Sequence, residues 1–111
     1  MKFNIIEHYN SIVIEIKDDL IGGPDAALFQ EIIQKQLNEN KLNFVVDLGK
    51  VKFVNSSGMG ILIRGYTTIT NAGGKFVLAN INEKMKGLLS ITKLSTIITV
   101  YDNVDEATKN F

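Results

Sequence analysis

Apolar and polar residues follow one another along this chain in two patterns, one typical of strands and the other of helices. Residues 11–17 alternate like a half-buried strand, whereas residues 42–48 form a nearly unbroken apolar run, as in a strand buried on both faces. The chain predicts five strands, at residues 2–7, 11–17, 42–48, 75–79 and 96–101. It predicts helices at residues 25–39, from Ser57 to about Ala72, at 81–91 and at 104–111.

The order of these elements indicates the fold class. Tyr9 and Asn10 leave room for a hairpin turn between the first two strands. The strand, helix and strand that follow predict a right-handed crossover between parallel strands. We therefore expect an α/β fold in a single small domain at residues 1–111, with a mixed sheet of four to five strands and helices mainly on one face.

The stretch at residues 45–70 joins the third strand to the second helix and carries two serines into the helix start. Small polar side chains there accept hydrogen bonds from first-turn N–H groups, so one serine would serve as an N-cap. Two hydroxyls, at Ser56 and Ser57, exceed that need. Gly58 lacks a side chain, which would leave the approach to Ser57 open. We therefore expect an accessible hydroxyl where the helix field favours negative charge.

Phosphorylation of Ser57 is chemically compatible with this position. A phosphate would add about −1.5 to −2 charge, which the helix N-terminus tolerates and a partner packed on the same surface would not. Two neighbouring side chains have alternative interpretations. Asp47 either caps the turn after its strand or supports the phosphosite. Met59, Leu62 and Ile63 are expected in the core, although Met59 could be partly exposed to a partner.

Composition narrows the function classes. Twelve basic and twelve acidic residues give a formal net charge of zero, which lacks the clustered positive charge of nucleic-acid binders. The chain has no cysteine and therefore no disulfide or cysteine metal site. Glu7 and His8 interrupt the first apolar residues, unlike a signal peptide, and no apolar run is long enough for membrane insertion. We expect a cytoplasmic protein without a cofactor or a metal.

Catalytic interpretations of the serines find little support. His8 is the single histidine and is more typical of an ordinary strand or turn residue than of a general base. Asn55 stands where a Gly-x-Ser-x-Gly nucleophile motif has its first glycine. No Gly-Lys-Ser/Thr follows Gly58 and Gly60, unlike a phosphate-binding loop. These residues predict neither a hydrolase nor a nucleotide-binding protein.

The segment VVDLGKVKFVNSSGMGILI resembles the STAS domain family, especially the stand-alone anti-sigma factor antagonists of bacteria. It is similar to that family's strand, Asp-Leu turn and Asp-Ser-Ser/Thr-Gly-Leu/Met-Gly helix start. The later Ala72-Gly73-Gly74-Lys75 and the strand after it fit as well, so the resemblance covers nearly the whole chain. One departure is Asn55, which stands where the family usually has aspartate; it keeps the size and hydrogen-bonding ability but loses the charge.

This resemblance implies a mechanism and a set of site residues. In the family, the serine or threonine directly before the glycine, here Ser57, is phosphorylated by an anti-sigma factor that is a serine kinase. The unphosphorylated antagonist binds that kinase and frees a sigma factor; phosphorylation abolishes the binding, and a serine phosphatase restores it. The resemblance assigns partner contacts to the helix start and the loop at residues 18–25, namely Asn55, Ser56, Ser57, Gly58, Met59, Gly22, Gly23 and Asp25.

Two other functions stay open beside this one. STAS domains also serve as docking subunits of lipid or solute transporter complexes, and Asn55 departs from the switch pattern. An esterase using Ser57 rests only on a serine at a helix start. The chain predicts foremost an anti-sigma factor antagonist, a binding module regulated at Ser57 and not an enzyme.

Overall fold

The computed structural model describes the whole chain, residues 1–111. The strands are β1 (Phe3–Glu7), β2 (Ile12–Ile16), β3 (Asn43–Asp47), β4 (Lys75–Ala79) and β5 (Thr99–Tyr101). The helices are α1 (Asp25–Asn38), α2 (Ser56–Asn71), α3 (Glu83–Ile91) and α4 (Val104–Lys109), with a short 3-10 turn at Leu94–Thr96. Helices and strands alternate after the first hairpin, as the hydrophobic pattern predicts.

The five strands form one sheet in the order in which they occur along the chain. β1 pairs with β2 antiparallel, and the turn between them is closed by a hydrogen bond from the His8 N–H to the Ser11 carbonyl at 2.8 Å. β2 to β5 run parallel, with a helix in each connection. The predicted mixed α/β sheet is confirmed. Because parallel strands end at one edge, the loops that follow β2 and β3 meet there.

The sheet separates two apolar layers of unequal size. The larger layer includes Ile14, Phe44 and Leu78 of the sheet with Ile33, Leu62 and Met85 of α1, α2 and α3. The smaller layer consists of Val13, Val45, Val77, Ala79 and Ala107, the last from α4. Side chains of successive strand residues point to opposite faces, so β2 contributes Ile14 to one layer and Val13 to the other. Three helices thus lie on one face, as predicted, and α4 lies on the other.

Two element starts differ from the sequence prediction by two residues or more, each for a local reason. α3 begins at Glu83 and not at residue 81, because the Asn82 side chain caps it by accepting a hydrogen bond from the Met85 N–H at 2.9 Å. The last strand begins at Thr99 and not at residue 96, because the preceding residues wind into the 3-10 turn. Neither shift changes the topology.

Candidate functional site

The start of α2 lies at the edge of the sheet where the parallel strands end. Leu20, in the loop after β2, and Val54, in the loop after β3, form an isolated bridge. The Leu20 N–H donates to the Phe53 carbonyl at 3.0 Å, and the Asn55 N–H donates to the Leu20 carbonyl at 3.2 Å. The loop at residues 18–25 is therefore held by its backbone against the residues that open α2.

Asn55 is the N-cap of α2. Its Oδ1 accepts a hydrogen bond from the Gly58 N–H at 2.8 Å, and its Nδ2 donates to the Ile21 carbonyl at 3.1 Å. The expectation that a serine caps this helix is wrong, because α2 begins at Ser56 and both serines belong to its first turn. An ionised aspartate could cap the helix but has no N–H to donate to the neighbouring loop, so asparagine has a structural use here that aspartate would lack.

Ser56 and Ser57 are exposed on the first turn of α2. Neither hydroxyl makes a hydrogen bond within the protein, because Asn55 supplies the cap. The first turn also contains no acidic residue. A helix N-terminus carries roughly half a positive charge, and here no acidic side chain of that turn offsets it. Ser57 is accessible, as expected; its phosphorylation remains a prediction.

The loop after β2 touches Ser57 through Gly22. A Cβ atom on Gly22 would lie 2.6 Å from the Ser57 Cβ, and the backbone of Gly22 has a left-handed φ of 96°. A side chain at this position would therefore displace Ser57 and strain the loop. Gly23 is exposed, with no atom within 4 Å of where its Cβ would be. The predicted contact residues Gly22 and Gly23 thus differ: one supports Ser57 and the other faces solvent.

Gly58 and Met59 are buried beneath the two serines. A Cβ on Gly58 would overlap the Leu20 carbonyl oxygen. The expected reason for this glycine, an open approach to Ser57, is wrong: the missing side chain lets the backbone of the loop come close to α2. Met59 is 6% exposed and belongs to the larger apolar layer, which confirms the core interpretation.

The two predicted carboxylates are engaged in local structure. Asp47 Oδ1 accepts hydrogen bonds from the Gly49 N–H and from Asn80 Nδ2, each at 3.0 Å. Asp47 therefore caps the turn after β3, one of its two predicted roles, and neither of these hydrogen bonds involves the phosphosite. Asp25 Oδ1 lies 2.9 Å from the N-terminal ammonium group of Met1.

The positions of other candidate groups bear on catalysis. His8 precedes β2 at the edge where the parallel strands begin, whereas Ser57 follows the edge where they end. The single histidine and the serines therefore lie at opposite ends of the sheet. No group of three or more His, Cys, Asp or Glu residues is placed to hold a metal ion. None of the helices is both long enough and apolar enough to cross a membrane.

Comparison with known families identifies the fold. The sequence-family model of the STAS domain matches residues 2–107 of this chain. The chain belongs to the STAS domain family. Its five-stranded mixed sheet and four helices match the STAS fold of known structures.

Similar proteins of this STAS family are named for an action on anti-sigma factors. A Thermotoga maritima protein named "Putative anti-sigma factor antagonist" is 28% identical over 99 residues, which cover 88% of each chain. The "Anti-sigma F factor antagonist" of Paenibacillus polymyxa is 26% identical over 98 residues, covering 88% of this chain and 72% of that relative. The crystal structure of a putative anti-sigma factor antagonist from Thermotoga maritima superposes on this chain with a TM-score of 0.87 at 26% identity. The superposition covers 97% of this chain and 92% of that one.

Two features near the start of α2 could not be predicted from the sequence. Asp19 Oδ1 accepts hydrogen bonds from the Lys52 N–H at 3.3 Å and the Phe53 N–H at 3.2 Å, and so fastens the loop after β2 to the loop after β3. Ile63, expected in the core, is 37% exposed. It lines an apolar cavity of about 380 Å³ between α2 and α3, beside Ser56. Neither feature has a local sequence signal, because each depends on residues brought together by the fold.

Proposed function

We propose that this STAS domain is an anti-sigma factor antagonist whose binding is controlled by phosphorylation of Ser57. In the unphosphorylated state it binds an anti-sigma factor that is a serine kinase, and the sigma factor held by that kinase is released. Phosphorylation by the same kinase ends the binding, and a serine phosphatase restores it. The protein acts in the cytoplasm as a binding module and not as an enzyme.

One observation carries this proposal: the Ser57 hydroxyl is exposed and takes no part in holding the fold. Asn55 performs the capping that a serine at this position would otherwise provide. A kinase needs a hydroxyl that it can reach without unfolding its substrate, and Ser57 meets that requirement. The absence of an acidic side chain in the first turn of α2 means that a phosphate there meets no neighbouring negative charge from that turn.

The same geometry explains how a phosphate could act on a partner while leaving the fold intact. The helix N-terminus stabilises negative charge, so the modified serine costs the domain little. A partner packed over Ser56, Ser57 and the exposed Gly23 would have to accommodate a phosphate of about −1.5 to −2 charge without a cation of its own to match it. The affinity for the partner would fall, and the stability of the domain would not.

Mass spectrometry after incubation with the cognate kinase and ATP tests the proposal, and Ser56 provides the matched control. Both serines are exposed and adjacent, so Ser56→Ala and Ser57→Ala differ only in which hydroxyl is removed. We expect one phosphate on the wild type and on Ser56→Ala, and none on Ser57→Ala. Phosphate on Ser56, or an unmodified wild type, would reject the switch.

The transporter alternative and the esterase alternative have weaker support. Asn55 was the feature that favoured a transporter complex, and its hydrogen bonds to Gly58 and Ile21 now give it a structural role. Recovery of transporter ATPase subunits, without any kinase, on affinity purification from the native cell would favour that alternative. An esterase would need a base beside Ser57, and labelling of Ser57 by an organophosphonate probe would be its sign.

A further inference from the structure

Arg64 is the only arginine of the chain and has no partner within it. Its side chain is exposed on α2. None of the four ion pairs of the protein involves it, and its guanidinium group makes no hydrogen bond. Arginine is the side chain best suited to binding phosphate, because its planar group of N–H donors matches the phosphate oxygens. An unpaired arginine near a phosphorylated serine would therefore be expected to bind it.

Helix geometry places Arg64 and Ser57 on the same side of α2. Seven residues separate them, which is close to two full turns, so the two side chains leave the helix in directions that differ by about 20°. Their Cα atoms are about 10 Å apart along the axis. Long helical side chains lean toward the N-terminus of their helix, and Ser57 lies on that side of Arg64. A phosphate on Ser57 lengthens that side chain and closes the distance further.

No side chain of α2 stands between the two residues on this face of the helix. Gly60 is exposed, with no atom within 4 Å of where its Cβ would be. Ile61 points into the core and is 3% exposed. A glycine inside a helix is less favourable than alanine. Close packing accounts for Gly58, but not for Gly60, whose surroundings have room for a side chain. An open path from Arg64 to Ser57 would give this glycine a purpose.

We propose that Arg64 is the counter-ion of the phosphate on Ser57 and binds it across Gly60. The inference rests on the proposed phosphorylation of Ser57 and adds the residue that receives the modified side chain. In the unphosphorylated protein Arg64 is free. In the phosphorylated protein it is paired, so the modification changes the charge presented at two positions of α2, about two turns apart, and not at one.

Another charged group must be considered at Arg64. Glu31 of α1 lines the same surface cavity as Arg64, together with Gly23 and Gln30. Its carboxylate is not within 4 Å of a basic group and would compete with the phosphate for the guanidinium only weakly, since both side chains are exposed. A phosphate carries up to twice the charge of a carboxylate and is the stronger partner.

The test uses the full chain with phosphoserine installed at position 57 during translation, so that it does not depend on any kinase. Because Arg64 is the only arginine, its Nε–H gives a single arginine signal in a ¹H–¹⁵N spectrum. We expect that signal to shift between the unmodified and the phosphorylated protein. We also expect Arg64→Gln to raise the second pKa of the phosphoserine by about half a unit, as measured by ³¹P titration, and Arg64→Lys to raise it less.

Lys109→Gln is the matched control, because it removes one positive charge from α4 on the opposite face of the sheet. It should leave the phosphoserine pKa unchanged. An arginine signal that is identical in both forms, together with an Arg64→Gln titration equal to the wild type, would overturn the pairing even if the kinase modifies Ser57. Pairing in the installed phosphoprotein, without modification by the kinase, would instead support this inference and reject the proposed function.

Discussion

The starts of α2 and α3 share one capping arrangement and differ in charge. In each, an asparagine accepts a hydrogen bond from the N–H three residues later, at 2.8 Å for Asn55 and 2.9 Å for Asn82. Each amide also donates to a neighbouring loop, Asn55 to Ile21 and Asn82 to Val51. The first turn of α3 contains Glu83, whereas the first turn of α2 contains no acid. α2 therefore has the same asparagine cap as α3 but lacks the negative charge in its first turn.

The other two helices resemble α3 in this respect. α1 has Asp25 in its first turn, and α4 has Asp105 and Glu106. Each acidic residue at an exposed position in a first turn stabilises the helix by about 0.3–1 kcal/mol. α2 alone leaves this interaction unused and places two exposed serines there instead. A phosphate on Ser57 would therefore supply a charge that side chains supply at the other three helices.

The largest predicted effect concerns the packing of the start of α2 against the loop after β2, and not the charge of that helix. Gly58→Ala would force a methyl group into the Leu20 carbonyl, so we expect a loss of more than about 2 kcal/mol in the free energy of unfolding. Gly60→Ala is the control, because its surroundings are open and alanine favours a helix. Urea denaturation measures both. Equal stability of the two variants would mean that the loop does not press on α2 at Gly58.

An intermediate effect is predicted for the caps. Asn55→Ala and Asn82→Ala should each lower the free energy of unfolding by about 1 kcal/mol, because each removes the acceptor for a first-turn N–H. Ser56→Ala and Ser57→Ala should each change it by less than about 0.5 kcal/mol, since neither hydroxyl is hydrogen-bonded in the fold. A loss for Ser57→Ala as large as that for Asn55→Ala would identify Ser57 as part of the cap.

More of the fold than of this site could be predicted from the sequence. The five strands and four helices could be predicted because their periodicity is local. The exposure of Ser57 could be predicted too, but the reason based on Gly58 is wrong, because that glycine is buried against the loop after β2. The capping residue could not, because asparagine and serine are both good N-caps and only the backbone decides which one lies outside the helix. The contact of Gly58 with Leu20 is also invisible in the sequence, since it joins residues 38 positions apart.

The smallest predicted effect tests the charge difference directly. Ser57→Asp should raise the free energy of unfolding by about 0.3–1 kcal/mol at low salt, because it places a carboxylate in the first turn of α2. Glu83→Gln should lower it by a similar amount in α3. Thermal denaturation at low and high salt separates charge from other causes, because salt screens this interaction. A Ser57→Asp variant less stable than wild type would show that the α2 start does not favour negative charge.

Phosphorylation of Ser57 is proposed to switch binding while leaving the fold intact, and one calorimetric comparison tests this proposal. The cognate anti-sigma factor kinase is titrated with the unmodified protein and with the protein carrying phosphoserine at position 57. We predict tight binding of the unmodified form and an affinity lower by about 100-fold or more for the phosphorylated form, since the partner must bury a phosphate for which it has no cation of its own. Equal affinities for the two forms, with both proteins folded, would show that phosphorylation of Ser57 does not switch binding.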